Sequence, residues 1–151
     1  MTPLGEAKLR DHEGRRLKAY DDATGQELVA GDTLRGNLSI GYGRNLSSRG
    51  ISADEAISFL YTDIAIATAE ARRAFDWFDF LDPVRQDFII MMIFNLGLPK
   101  LKATNPKLLA AIERQDWQAA GAELMDGPWH VQVGATRANE MRAAIETGRW
   151  E

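Results

Sequence analysis

The sequence predicts a mainly α protein of the α+β class, with a small antiparallel β meander in an N-terminal lobe and a helical C-terminal lobe. Three observations carry that prediction. Between Leu17 and Tyr42 the chain is a series of brief apolar pieces separated by the turn pairs Thr24-Gly25, Gly31-Asp32 and Gly36-Asn37. Ser52-Ala53-Asp54-Glu55 then matches a capping box, and apolar residues recur behind it at three- and four-residue steps. Beyond that point the chain carries helix starts and stops, and no further stretch reads as strand.

The first element is a short helix. Thr2 can cap it, Pro3 suits its first position because the missing N–H is not needed there, and Gly14 can end it after Glu13. In the meander that follows, Gln26 to Asn37 reads as an extended hairpin. The capping box opens a long helix whose positions Ile57, Leu60, Tyr61, Ile64 and Ala71 form one packing stripe, with Asp63, Glu70 and Arg72 between them. Asp82-Pro83 starts the next helix. Its run Phe88-Ile89-Ile90-Met91-Met92-Ile93-Phe94 is apolar on every side, which makes it central until Gly97 and Pro99 stop it. Three more helices are expected, opened by Asn105-Pro106, by Asp116 and by Thr136, the last closing near Gly148. The whole reads as one domain over residues 1–151: a β-containing lobe at about 15–51, a connecting helix at 53–75 and a helical lobe at 76–151, on which helix 1 can pack.

Composition narrows the function classes. Apolar residues make up 45% and charged ones 26%, the proportions of a compact fold. There are no cysteines, hence no disulfide framework or thiolate metal site, and His12 and His130 are too few for a zinc cluster, so no metal or other cofactor is expected. Met1-Thr2-Pro3-Leu4-Gly5-Glu6 lacks the basic and apolar segments of an export signal, and no apolar run approaches a membrane span. A net charge of −4 gives no general attraction to nucleic acid, and the cluster Lys8, Arg10, Arg15, Arg16 and Lys18 reads as a solvated face. Gly41-Tyr42-Gly43 lacks the third glycine and the Lys-Ser/Thr of a phosphate loop, and neither histidine lies in a nucleophile motif. A monomer without nucleic-acid binding or membrane insertion is expected.

Two carboxylates, Glu13 and Asp22, stand nine positions apart, the first ending a helix and the second leaving a strand. Such a pair can divide the labour of glycosidic cleavage, one protonating the leaving oxygen and the other remaining ionised as nucleophile or base. The negative end of the helix dipole and partial burial would both favour the proton on Glu13. Asp22, in a turn-rich segment open to water and near Lys18, would stay ionised. On spacing alone, however, two solvated surface acids are the simpler reading.

The stretch Leu9-Arg10-Asp11-His12-Glu13-Gly14-Arg15-Arg16-Leu17-Lys18-Ala19-Tyr20-Asp21-Asp22 resembles the opening of the phage-type lysozymes, or endolysins. That family places a catalytic Glu before Gly and a catalytic Asp after a Tyr, and Glu13 and Asp22 fall on those positions. Ser39-Ile40-Gly41-Tyr42-Gly43 is similar to the family's Thr-Ile-Gly-(Ile/Tyr)-Gly, whose hydroxyl helps to hold the attacking water. Ser39 keeps that hydroxyl and loses the methyl that restricts its rotamer. The segment Gln26 to Asn37 lengthens the spacing from Asp22 to this hydroxyl, a change that costs little closure entropy and alters the rim of the site. Phe94-Asn95-Leu96-Gly97 and Trp129-His130-Val131-Gln132, with Arg137 and Arg142 downstream, are similar to later family segments. They imply substrate-binding roles for Asn95, Trp129, Gln132 and Arg137, with Arg137 the arginine that pairs with Glu13. Without the resemblance, Trp129 reads as a core tryptophan and Arg137 as a surface arginine.

The resemblance therefore implies a lysozyme-like two-lobed fold forming a single catalytic domain, with the site in a cleft between the lobes. It implies a muramidase that hydrolyses the β-1,4 bond between N-acetylmuramic acid and N-acetylglucosamine in bacterial peptidoglycan, with inversion. Glu13 would protonate the leaving oxygen while Asp22, with Ser39, directs a water from the opposite face. It also implies synthesis in a host cytoplasm and release to the periplasmic wall through a holin-made lesion, for host lysis. Two other readings stay open: a lytic transglycosylase, which needs the Glu alone, and a non-catalytic peptidoglycan-binding module.

Overall fold

The computed structural model describes residues 1–150 and divides into two compact units, Met1–Ile57 and Ser58–Glu151. The first unit opens with helix α1 (Pro3–Glu13), whose end groups are satisfied as the sequence predicts. The Thr2 hydroxyl accepts the Gly5 N–H at 3.2 Å, and Gly14, at φ 65°, closes the helix by donating to the Arg10 carbonyl. Strands β1 (Arg16–Asp21), β2 (Leu38–Gly41) and β3 (Arg44–Asn45) then form an antiparallel sheet in the order β1-β2-β3. Tyr20 lies opposite Ser39 and Asp21 opposite Leu38, and an irregularity between Arg16 and Tyr20 lets the longer β1 match the shorter β2.

The meander is present, but the extended hairpin over Gln26 to Asn37 is not. Around Thr24-Gly25 a short tip forms, with a bridge between Tyr20 and Glu27 and bonds from the Asp21 N–H to the Gln26 carbonyl and from the Leu28 N–H to the Ala19 carbonyl. After Leu28 the chain leaves the ladder. Residues 29–37 have no alternating apolar face to bury, so side-chain acceptors take N–H groups that a strand would have paired: Asp32 takes that of Val29, and Asp21 those of Arg35 and Gly36.

Helix α2 (Leu46–Arg49) is capped by Asn45, and helix α3 (Ala53–Ala74) by the expected box. The Ser52 hydroxyl accepts the Glu55 N–H at 3.2 Å, and the Glu55 carboxylate accepts the Ser52 N–H at 2.7 Å. Glu55 also takes both terminal nitrogens of Arg44 at 3.1 and 2.7 Å, tying β3 to the start of α3. The predicted packing stripe on α3 holds at Ala71 and is corrected elsewhere: Ala67 and Ala71 are the buried residues of this helix, while Ile57, Leu60, Tyr61 and Ile64 are exposed. Helical periodicity thus marks an apolar face along the helix, whereas packing on the core uses small residues toward its C-terminal end, Ala67 and Ala71 with Ala74 beside them.

The second unit is helical. A 3-10 turn at Phe78–Phe80 leads to α4 (Pro83–Leu96), α5 (Leu98–Thr104), α6 (Pro106–Glu113), α7 (Trp117–Asp126), α8 (Trp129–Val133) and α9 (Ala135–Thr147). As predicted, α4 supplies the centre of the core: Phe88, Ile89, Met92 and Ile93 are buried among Phe78, Leu101, Leu108, Ile112, Leu124, Met141 and Ile145. Helix α5 was not expected. Gly97 breaks α4, but Pro99 falls in the first turn of the next helix, where proline starts a helix instead of stopping one. Five-residue α8, between Pro128 and Gly134, carries too little periodicity to be read in advance. Asp82 and Asp116 cap α4 and α7 as expected. Asn105 makes no side-chain cap, because its carbonyl oxygen is occupied by the Thr104 hydroxyl at 2.7 Å. Helix α9 begins one residue ahead of Thr136, behind Gly134.

One cation organises the end of α9. Arg85 is largely buried, and it donates to the carbonyls of Ile145 at 2.9 Å and Glu146 at 3.0 Å and to Asp82 at 2.6 Å, with its guanidinium 3.9 Å above the Trp117 ring. Those carbonyls belong to the last helical turn and have no partner within the helix. Arg85→Ala is expected to lose about 2 to 4 kcal/mol of stability in urea unfolding, since it strands two acceptors and a carboxylate. Arg85→Lys should recover only part, because an ammonium cannot reproduce the planar fork.

Candidate active site

Glu13 is the last residue of α1, and the turn through Gly14 sends the chain straight into β1. Its carboxylate lies against the turn between β2 and β3: a Cβ placed on Gly43, whose φ is 73°, would stand 3.0 Å from Glu13 Oε2. Gly43 therefore serves two needs at once, a left-handed backbone and room for the acid. The side chain of Glu13 is exposed, so the partial burial expected of it is not found.

At the other end of β1, Asp21 and Asp22 take opposite roles. Asp21 is buried, 2% exposed, and acts as the anchor of the loop: it accepts the N–H groups of Arg35 at 2.6 Å, Ala23 at 2.9 Å and Gly36 at 3.0 Å. Asp22 is exposed and gripped by one residue, taking the Asn37 backbone N–H at 2.6 Å on one oxygen and the Asn37 amide at 3.0 Å on the other. Gly36 makes the fit possible, since a Cβ there would collide with Asp22 Oδ1 and lie 2.8 Å from the Ala23 nitrogen.

The electrostatics follow from these bonds. The Arg35 N–H, ahead of those of Ala23 and Gly36, holds the Asp21 carboxyl below its ordinary range against the opposing effect of burial. The Asn37 N–H and then its amide do the same for Asp22, against desolvation and the neighbouring Asp21 charge. Asp22 is thus ionised for a reason other than the one expected: Lys18 is engaged with Glu27 at 2.7 Å, and Asn37 is what favours the charge. Ser39 is buried on β2, opposite Tyr20 on one side and Asn45 on the other. Of the sequence-predicted residues in this unit, Asp22 is held at Asn37 just ahead of β2, Ser39 lies on β2 two residues on, and Glu13 lies at Gly43 in the turn that follows β2.

In the second unit, Asn95 is exposed near the end of α4, and its carbonyl oxygen accepts the indole N–H of Trp129 at 2.9 Å. Trp129 itself is 2% exposed, so it packs and orients Asn95, whose amide nitrogen is left to donate outward. The Arg137 guanidinium lies 5.9 Å from the centre of the Trp129 ring, and Gln132 is exposed on α8.

Asp21, Gly36, Asn37 and Gly43 were not singled out as site residues from sequence. The signal for the first three was present as the turn chemistry of Asp-Asp-Ala-Thr-Gly and Gly-Asn, which marks a loop without saying that its two ends meet.

The fold defines a mainly helical α+β protein whose small sheet is flanked by a helix-end carboxyl, Glu13, and an exposed aspartate, Asp22, held by Asn37. The profile of the family described as Phage lysozyme matches residues 10–142, and the chain belongs to that family. Its members act as glycoside hydrolases on the peptidoglycan of bacterial walls. A search of curated proteins finds no match to the chain.

Both aspartates carry lowered pKa values, so the stability they contribute is complete above the unfolded value of about 3.9 and is lost as pH falls through the folded values. The thermal midpoint is therefore expected to hold from neutral pH down to about pH 4 and to fall below it. Asn37→Ala should move the Asp22 titration upward, read from its carboxyl carbon by NMR, while Asp21, whose donors are all backbone, keeps its own.

Proposed function

We propose that the chain is an inverting muramidase that cuts the β-1,4 bond between N-acetylmuramic acid and N-acetylglucosamine, its two units working as one catalytic domain. The observation that carries this reading is the grip of Asn37 on Asp22, which keeps that carboxylate ionised and fixed in direction while leaving it exposed to water. An aspartate so held suits a base that orients and deprotonates a water.

In this scheme Glu13 donates its proton to the leaving glycosidic oxygen. Asp22 draws a proton from a water held with the help of the Ser39 hydroxyl, and that water attacks the anomeric carbon from the opposite face. The proton balance closes when Glu13 is reprotonated and Asp22 releases its proton to solvent. Asn95, Gln132 and Arg137 contact the glycan, with Trp129 acting through Asn95. The biological role is lysis of a bacterial host, the enzyme reaching the periplasmic wall through a holin-made lesion and acting as a monomer. Among the described residues no helix is long and apolar enough to cross a membrane.

The test is clearing of purified bacterial walls. Wild type should clear them, Glu13→Gln should not, and Asp22→Asn should lose a factor of about 10² or more. Near wild-type rates in Asp22→Asn, with 1,6-anhydro sugar ends in the products, would replace this reading with a transglycosylase. Binding without clearing would replace it with a wall-binding module.

A further inference from the structure

We propose that the loop after Asp22 carries a binding pocket for the acidic peptide that branches from muramic acid, with Arg35 receiving one of its carboxylates. The inference rests on the peptidoglycan reading above and assigns a part of the substrate to residues outside the acid–base pair.

The loop shapes a solvent-open cavity of about 350 Å³ whose walls include Asp21, Gln26, Glu27, Asp32, Thr33 and Arg35. That volume falls within the roughly 300 to 1,000 Å³ typical of small-ligand sites. Most of the lining comes from the stretch that lengthens the spacing between Asp22 and Ser39.

Three carboxylates face the cavity, and each already has a partner. Asp21 takes three backbone N–H groups, Glu27 takes Lys18, and Asp32 takes the Val29 N–H. The Arg35 guanidinium, by contrast, has no ion-pair or hydrogen-bond partner among the described residues, although its own backbone N–H is committed to Asp21. An unpartnered planar fork on a residue that lines a polar cavity is suited to a carboxylate, which it can bind through two parallel bonds. Where the peptide is attached, the lactyl carboxyl of muramic acid is tied up as an amide and the sugars offer only uncharged hydroxyls and amides, which make no use of that charge, whereas the peptide arm ends in and carries carboxylates.

The position of the pocket gives the contact a consequence. Arg35 and Gly36 hold Asp21, and the next residue, Asn37, holds Asp22. One stretch of backbone is therefore both the pocket wall and the support of the proposed base, so a peptide seated on Arg35 registers the strand relative to Asp22.

The probe is the acidic peptide released from bacterial walls by an amidase, titrated into the isotope-labelled protein. On adding peptide, amide signals of Thr33, Arg35 and Gly36 should shift in the wild type, and those of Thr33 and Gly36 should not respond in Arg35→Ala. On intact walls Arg35→Ala should raise KM about tenfold with kcat retained, and Arg35→Lys should recover part of the loss. The thermal midpoint should be unchanged, because the backbone bond to Asp21 survives the substitution. Walls cleared by the wild type with no peptide-induced shift, or with shifts confined to other residues, would overturn the pocket and leave the hydrolase reading intact. Peptide shifts at these residues in a protein that clears no walls would support the pocket and overturn the hydrolase.

Discussion

The first unit depends on two adjacent carboxylates whose hydrogen bonds draw residues 35–37 back onto the end of β1. Asp21 is a buried charge, and a buried charge is tolerated only when its oxygens are filled with donors. Here three backbone N–H groups supply them, and in doing so they fix a loop that has no ladder and little apolar surface of its own. Asp22 is then presented outward by the same piece of chain. Structure and chemistry are divided between neighbours: one aspartate spends its hydrogen-bonding capacity on folding, and the other keeps an exposed, ionised face.

Glu13, the proposed acid, is placed by different means. Glu13 owes its position to a helix that ends at a left-handed glycine and to a second glycine, Gly43, that makes room for it. Arg44, next along the chain, is clamped by Glu55, itself fixed by the capping box of α3, so the turn beneath Glu13 is anchored at its far side. In the helical unit the corresponding economy is the Trp129–Asn95 bond, which uses a core residue to set the direction of an exposed amide.

How much of this could be read from the sequence follows from the range of each interaction. Helix starts at Pro3, Asp82 and Asp116, the box at Ser52 and Glu55, and the central place of Phe88 to Ile93 are set by residues within a turn or two of one another. The loop was misread because its order comes from contacts 14 and 15 residues apart, between Asp21 or Asp22 and residues 35–37, and turn chemistry does not say which acceptor a freed N–H will find. Helix α5 was missed because Gly97 and Pro99 carry both a stop and a start. The positions Glu13, Asp22 and Ser39 were legible only through the family's motifs, since a nine-residue spacing of two acids is common on any surface. What held Asp22 was invisible for the same reason as the loop.

The central claim is that an ionised Asp22 activates a water while Glu13 protonates the departing oxygen, and the stereochemistry of the new sugar end tests it most directly. Proton NMR of wall fragments in the first minutes of reaction should show the freshly formed muramic acid end in the α configuration, before mutarotation mixes the anomers. A β product, or an end closed as an internal anhydride, would contradict the account.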